Sequence, residues 1–449
     1  MKYLYFLQRQ VVSYNLKLPI IQNLTEGVMT EYEDTVSYGE HVVEVAWRRG
    51  SLEVNEAYSR VVGARVFSKG SWFITSIQGR DVNANELKEK VKSLVRLAGV
   101  GVGKDLLSGA EFCRGSEVIG KEASLDELVS FVRDAAALLG GLGEVVLTQV
   151  RSERVIESTE FSCREVKNVI ELSIFAEESS VGKHAVASAS VAIAGRLGSL
   201  SDRVIEDLVE DAGTRVKAQL RAKALSPLDV GKWTLILDYD VAGALFHELA
   251  HLLEGDVPSH LLPGQNLGVE WLNVSDNPTL ELSPARRFFD DEGVRSKPKD
   301  LIVDGVVSEL LHTRVSAAKA MKAGLSATPG QARGLFHPPK AMHSTLIVAP
   351  GDWRLEEVVE ETRKGIYVRG LIRAELYGGV VSIVPENAWI IERGEIKEPV
   401  VLRQIKIPLF KGLRSIDAAS RSLKLRHSYE KGHLVAEVSP AVRILGYIE

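Results

Sequence analysis

The spacing of apolar and polar residues changes period several times along this chain. From His41 to Ile77, HVVEVAWRRGSLEVNEAYSRVVGARVFSKGSWFITSI alternates, with Gly50, Gly63 and Gly70 as punctuation. A period of two predicts short strands joined by turns. The next stretch, NANELKEKVKSLVRLAG, sets Leu87, Val91, Leu94, Val95 and Leu97 near helical spacing before Gly99, which predicts a helix. Residues 100–123 are Gly-rich and read as loop. A second helix is expected in SLDELVSFVRDAAALLGG, with Ser124 as N-cap and Glu127 at the capping-box position. Strands follow in EVVLTQVRSERVIES, REVKNVIELSIFAEES and AVASASVAIAG, and a charged helix runs through DRVIEDLVEDAGTRVKAQLRAKAL to Pro227.

Pro227 marks the main boundary. Beyond it GKWTLILDYD reads as a strand, and VAGALFHELAHLLE as a helix that starts behind Asp240 as N-cap and stops at Gly255. Residues 258–300 are rich in Pro, Asn, Asp and Gly and read as long loops, which in a compact domain are usually functional. The remainder returns to short strands and turns around one helix, LEEVVEETRKG. The expected fold class is α+β. An N-terminal mixed strand-and-helix region, 1–228, is read as one region or as two units of about 1–120 and 121–228. A larger β-rich C-terminal domain, 229–449, carries the HELAH helix.

Charge and composition narrow the function classes. The chain has 449 residues and a net charge of −5, which offers no general attraction to phosphates, so no nucleic-acid partner is expected. The basic run Arg215–Lys223 is interleaved with apolar residues and reads as a solvated helix face. Two cysteines, Cys113 and Cys163, do not make a disulfide framework. No apolar run reaches the length of a membrane span, and the N-terminus lacks a signal-peptide pattern. A cytoplasmic protein without membrane association is expected.

The candidate chemistry is in HELAH. His247 and His251 stand four apart, about 40° apart around a helix, so both imidazoles leave one face. Two neutral histidines at that spacing suit tetrahedral zinc, one ion per subunit. Glu248 lies where it can act as general base on a metal-bound water rather than as a ligand. A third protein ligand is needed. Glu254 is close in sequence, or could orient a ligating histidine. His260, His427 and His433 are further alternatives.

Together these stretches resemble the TldD/PmbA family of metallopeptidases. The resemblance rests on RRGSLEVNEAYSRVVGARVFSKGSWFITS, HELAHLLEGD, FFDDEG at Phe288–Gly293, LIVDGVVSELLHTRVSA, STLIVAPGD, KGIYVRG, IIERGEIKEPV and SPAVRI, in the family's order. It implies a peptidase acting on small or unfolded peptides. It also implies a dimer, which could be a heterodimer with a PmbA/TldE-like subunit. The family pattern reads HExxxH; without a gap on LEGD, His251 keeps its place and Phe246 stands at the first histidine. The family's cysteine ligand falls on Ser428 in HSYEKGH, and the neighbouring His427 is taken as its replacement, with His433 or Glu430 as alternatives. The leading expectation is a zinc-dependent peptidase with Glu248 as base. The alternative is a non-catalytic PmbA/TldE-like peptide-binding or scaffold subunit with a degenerate site.

Overall fold

Long antiparallel ladders, rather than short strands, build the N-terminal part. The structure is a computed structural model and describes residues 28–29, 31–79, 83–98, 105–139, 143–180, 182–226, 229–258 and 261–449. Strands β1 (Tyr32–Arg48) and β2 (Ser51–Ser68) pair without interruption from Tyr32↔Phe67 to Arg48↔Ser51. Their two-residue turn places Arg49 at φ 51° and Gly50 at φ 82°, the left-handed pair that matches the twist of a hairpin. Gly63, read from the sequence as punctuation, lies inside β2. A Cβ there would come within 3.0 Å of the Thr75 carbonyl and 3.1 Å of the Phe336 ring. The glycine serves a close approach, not a turn.

The sheet continues with β3 (Ser71–Gln78), β4 (Gly115–Ile119), β5 (Gly143–Ser158), β6 (Ser162–Ser180) and β7 (Lys183–Ile193). Its order is β3-β2-β1-β5-β6-β4, with β7 also on β6. Because β1 pairs with β5 from Asp34↔Ser158 to Trp47↔Val145, residues on both sides of position 120 share one sheet. The expected helices are present: α1 (Ala84–Leu97), α2 (Leu125–Leu139) and α3 (Asp202–Arg221). The capping box of α2 closes as read, with Ser124 N–H donating to Glu127 at 2.7 Å and Glu127 N–H to Ser124 Oγ at 3.3 Å. Leu128 and Val132 of α2 and Ile205 and Ala212 of α3 pack with Val45, Leu147 and Leu172 of the sheet. Arg215 is not solvated; it is buried, donating to Ser188 O and Glu386.

Among the described residues the second sheet has twelve strands. Those that matter to the site are β8 (Gly231–Leu237), β9 (Val274–Asp276), β10 (Thr345–Val348), β11 (Lys364–Tyr377), β12 (Val380–Glu392), β13 (Ile405–Pro408), β14 (Ala418–Glu430) and β15 (His433–Ile448). Strand β8 pairs with β11 and β15, β11 with β12, β12 with β13, and β13 with β15. These five strands therefore close a ring. Leu235, Ile366, Ile383, Ile405 and Ile444 from it share a core with Val241, Leu245, Phe246 and Leu249 of helix α4 (Tyr239–Ala250). The fold is α+β, with a larger β-rich C-terminal region.

Helix α4 begins two residues before the sequence reading placed it. Asp238, not Asp240, is the N-cap, and its side chain accepts the Val241 N–H at 3.1 Å. The α-helix ends at Ala250, and His251–Leu253 tightens into a 3₁₀ turn.

The acidic triplet of FFDDEG ties the first sheet to loops of the C-terminal region. Asp291 pairs with Arg154 of β5 and with Arg287, and also accepts the Gly334 N–H at 2.7 Å. Arg65 of β2 donates to the Asp291 carbonyl at 2.8 Å while pairing with Asp34. Asp290 accepts three backbone N–H groups, from Glu292, Val294 and Ala332. Glu292 accepts the Arg314 N–H at 2.6 Å. Removing one partner of a buried ion pair leaves the other charge unpaired at a cost of about 3–5 kcal/mol. Asp291→Asn is expected to lose stability on that scale, read from the urea unfolding midpoint; an unchanged midpoint would show that the two arginines do not depend on its charge.

Candidate metal centre

The site lies where α4 meets the β14–β15 hairpin. Two imidazoles, His247 and His251, stand with ring centroids 5.0 Å apart at 83°. Each has its Nδ1 occupied. His247 Nδ1 is 2.7 Å from Glu437 Oε1, and His251 Nδ1 is 2.9 Å from Glu254 Oε1. A carboxylate on Nδ1 fixes the tautomer that leaves Nε2 bare for a metal. His247 Nε2 lies 3.8 Å from Glu430 Oε2, too far for a hydrogen bond. Ligand atoms of His247, His251 and Glu430 all lie within 4.8 Å of one another. Tetrahedral zinc with bonds of about 2.1 Å holds its ligands roughly 3.4 Å apart, so this donor set fits with small adjustments.

The third member is Glu430 and not His427. Strand alternation explains the correction. Residues 426 and 430 share a face of β14, and 427 takes the other. His427 accordingly turns toward the N-terminal sheet, with Nε2 3.4 Å from Glu171 Oε1. The turn that sets this is Lys431 and Gly432, at φ 50° and 81°, another two-residue hairpin of the primed kind. It pairs Arg426 with Glu437 and Glu430 with His433. The His433 ring meets His337 edge-on, with centroids 5.8 Å apart, and its Nε2 has no partner among the described residues. Glu254 supports His251 from behind, and His260 lies outside the described residues. Glu248 is buried, and its Oε2 accepts the Leu376 N–H of β11 at 2.7 Å.

Three residues that sequence reasoning did not place here complete the site. Glu437 is fully buried, and its Oε1 also receives His343 Nε2 at 3.2 Å while Oε2 receives Arg426 at 2.6 Å. The His343 ring stands 4.9 Å from that of His247, edge-on at 84°. The signal for Glu437 and Arg426 was present in the Lys431–Gly432 turn and the alternation around it. Nothing local marked His343. Arg443 pairs with Asp417.

The charges follow from this wiring. Burial draws the His247 imidazole down, but the carboxylates of Glu430 and Glu437 beside it outweigh that and lift it to about 9. His247 holds Glu430 down at about 2. Burial pushes Glu437 up, yet Arg426 and the two histidines hold it well below the usual carboxylate range. Burial also lowers His343 to about 4, so its ring is neutral.

The family description PmbA/TldA metallopeptidase C-terminal domain matches residues 230–445, the segment that holds every residue of this centre. That segment, just under half of the chain, is similar to the PmbA/TldD family. Metalloprotease MJ0996 of Methanocaldococcus jannaschii is 30% identical over 249 residues, covering 53% of this chain and 54% of that protein. The zinc metalloprotease TldD homolog of Saccharolobus solfataricus is 27% identical over 275 residues, 56% and 61% of the two chains. Metalloprotease PmbA of Escherichia coli O157:H7 is 28% identical over 248 residues, 53% and 50%. The chain thus spans about half the length of the curated relatives it matches. The fold extends further: TldE from Thermococcus kodakarensis superposes with a TM-score of 0.73 at 16% identity, covering 93% of this chain and 96% of that one.

Asp276 of β9 supports the strand behind His343. Its Oδ1 accepts the N–H groups of Ser344 at 2.8 Å and Thr345 at 3.0 Å, while Oδ2 has no partner among the described residues. Burial pushes its carboxyl up to about 7, against the backbone donors and Lys299 that pull it down. A folded value above the unfolded one, near 4, means the folded state binds the proton more tightly. That stability is present at low pH and is lost as pH rises through about 7. Asp276→Asn is expected to gain stability relative to the parent between pH 5 and pH 8, read as the difference in urea midpoints; a difference independent of pH would contradict this.

Proposed function

We propose that this chain is a metal-dependent peptidase in which His247, His251 and Glu430 hold one zinc ion. The observation that carries the reading is the pair of histidines whose Nδ1 atoms are each taken by a buried glutamate while their rings converge with Glu430. Imidazoles held in this way are oriented ligands, not incidental core histidines. Zinc, when bound, supplies Lewis-acid polarisation of the scissile carbonyl and lowers the pKa of water. Relatives named metalloproteases support the reaction class.

The residues divide the work as follows. Glu437 and Glu254 hold the two imidazoles in position. Glu248, steadied by the Leu376 N–H, takes the proton of the attacking water. Substrates of this reading are small or unfolded peptides, and the chain acts as a dimer, of like subunits or with a PmbA/TldE-like partner, in the cytoplasm.

A second reading has its own observation. Phe246, at the position the family resemblance gives to the first histidine, is fully buried in the core. His247 between Glu430 and Glu437 also makes a cluster that is satisfied electrostatically without an ion. On that basis the chain would be a non-catalytic, peptide-binding subunit of TldE type.

Metal analysis separates the two. The peptidase reading expects about one zinc per chain, lost in His247→Ala and weakened at least tenfold in Glu430→Gln. Protein that takes up no metal under any condition supports the scaffold. Glu248→Gln is expected to keep its zinc and lose peptidase turnover by about 100-fold or more. Full activity in that variant would remove Glu248 as the base.

A further inference from the structure

We infer that His343 is a positioning residue of the metal centre, holding Glu437 in the one orientation that presents His247 Nε2 to the ion. The inference rests on the reading that His247, His251 and Glu430 bind metal.

His343 and Glu437 are wholly buried. A carboxylate can only accept, so His343 Nε2 carries the hydrogen of their 3.2 Å contact. Its Nδ1 is then a bare lone pair, and it has no partner among the described residues. An imidazole in the core with one nitrogen orphaned is costly; an apolar side chain would fill the same space without that cost. What the histidine adds is the single N–H aimed at Glu437 Oε1. That oxygen also takes His247 Nδ1–H at 2.7 Å, and Oε2 takes Arg426 at 2.6 Å. Glu437 is therefore pinned from three sides and cannot rotate without breaking the bond that sets the His247 tautomer.

The support continues behind His343. Arg333 Nη2 donates to its carbonyl at 3.3 Å, and Asp276 Oδ1 holds the next two N–H groups. The His343 ring packs edge-on against that of His247. The atoms of His247, His343 and Glu437 are also close enough to suggest a second cation. Arg426 already places a positive charge on Glu437, so an ion there would face like-charge repulsion without solvent to relieve it.

The test titrates metal-stripped full-length protein with cobalt(II), reading the visible spectrum and the stoichiometry, with zinc as competitor. Wild type is expected to bind one ion. His343→Leu is expected to bind one ion about 10- to 100-fold more weakly, with a shifted cobalt spectrum. His343→Gln, whose amide can donate to Glu437, should recover most of the affinity and the parent spectrum. Should the Leu variant fail to fold, His343→Phe removes the donor and keeps a ring. Variants without the donor that match wild type in affinity and spectrum overturn the inference while leaving the metal site standing. Two ions in wild type falling to one in the variant overturn it in favour of a second metal. Wild type that binds no cobalt removes the metal reading itself, and the inference with it.

Discussion

A single buried carboxylate, Glu437, sets the geometry of the candidate site. It carries a full charge where water does not reach, and burial of that kind is tolerable only when the charge is matched. Arg426 supplies the match on one oxygen, and two imidazole N–H groups share the other. Once Glu437 is fixed, His247 has one tautomer and one ring orientation. Glu254 does the same for His251 one turn later, where the helix has tightened to 3₁₀.

The fold explains how so many charged groups converge. A ring of strands closes around an apolar core that grips the buried length of α4, so the helix cannot shift under the pull of its histidines. The β14–β15 hairpin then delivers Arg426, Glu430 and Glu437 from one face. The opposite face of the same strand sends His427 to Glu171 of the other sheet. One hairpin thus serves the site and the contact between sheets. The FFDDEG turn ties the first sheet to loops of the C-terminal region by spending its carboxylates on arginines and backbone donors.

Much of this was legible in the sequence. Alternation and capping signals located the strands and helices, and HELAH named two of the three converging donors. The errors have physical causes. Gly63 was read as a turn because a glycine inside a long ladder looks the same as a break; only the approach of Phe336 distinguishes them. Asp238 and Asp240 are both plausible caps, and the backbone, not the composition, chose between them. His427 was preferred because it neighbours Ser428, where the family resemblance puts a cysteine, although the Lys431–Gly432 turn already implied that Glu430 and Arg426 share a face. His343 is a contact formed across about a hundred residues of chain, with no local period to reveal it.

The chemistry of the site depends most on where a metal sits. Anomalous diffraction at the zinc edge, from crystals of zinc-loaded protein, tests this directly. One peak is expected, bonded to His247, His251 and Glu430 at about 2.0–2.2 Å, with Glu437 and His343 outside the coordination sphere. A peak bonded to His427, or none with His247 still lying between Glu430 and Glu437, would contradict it.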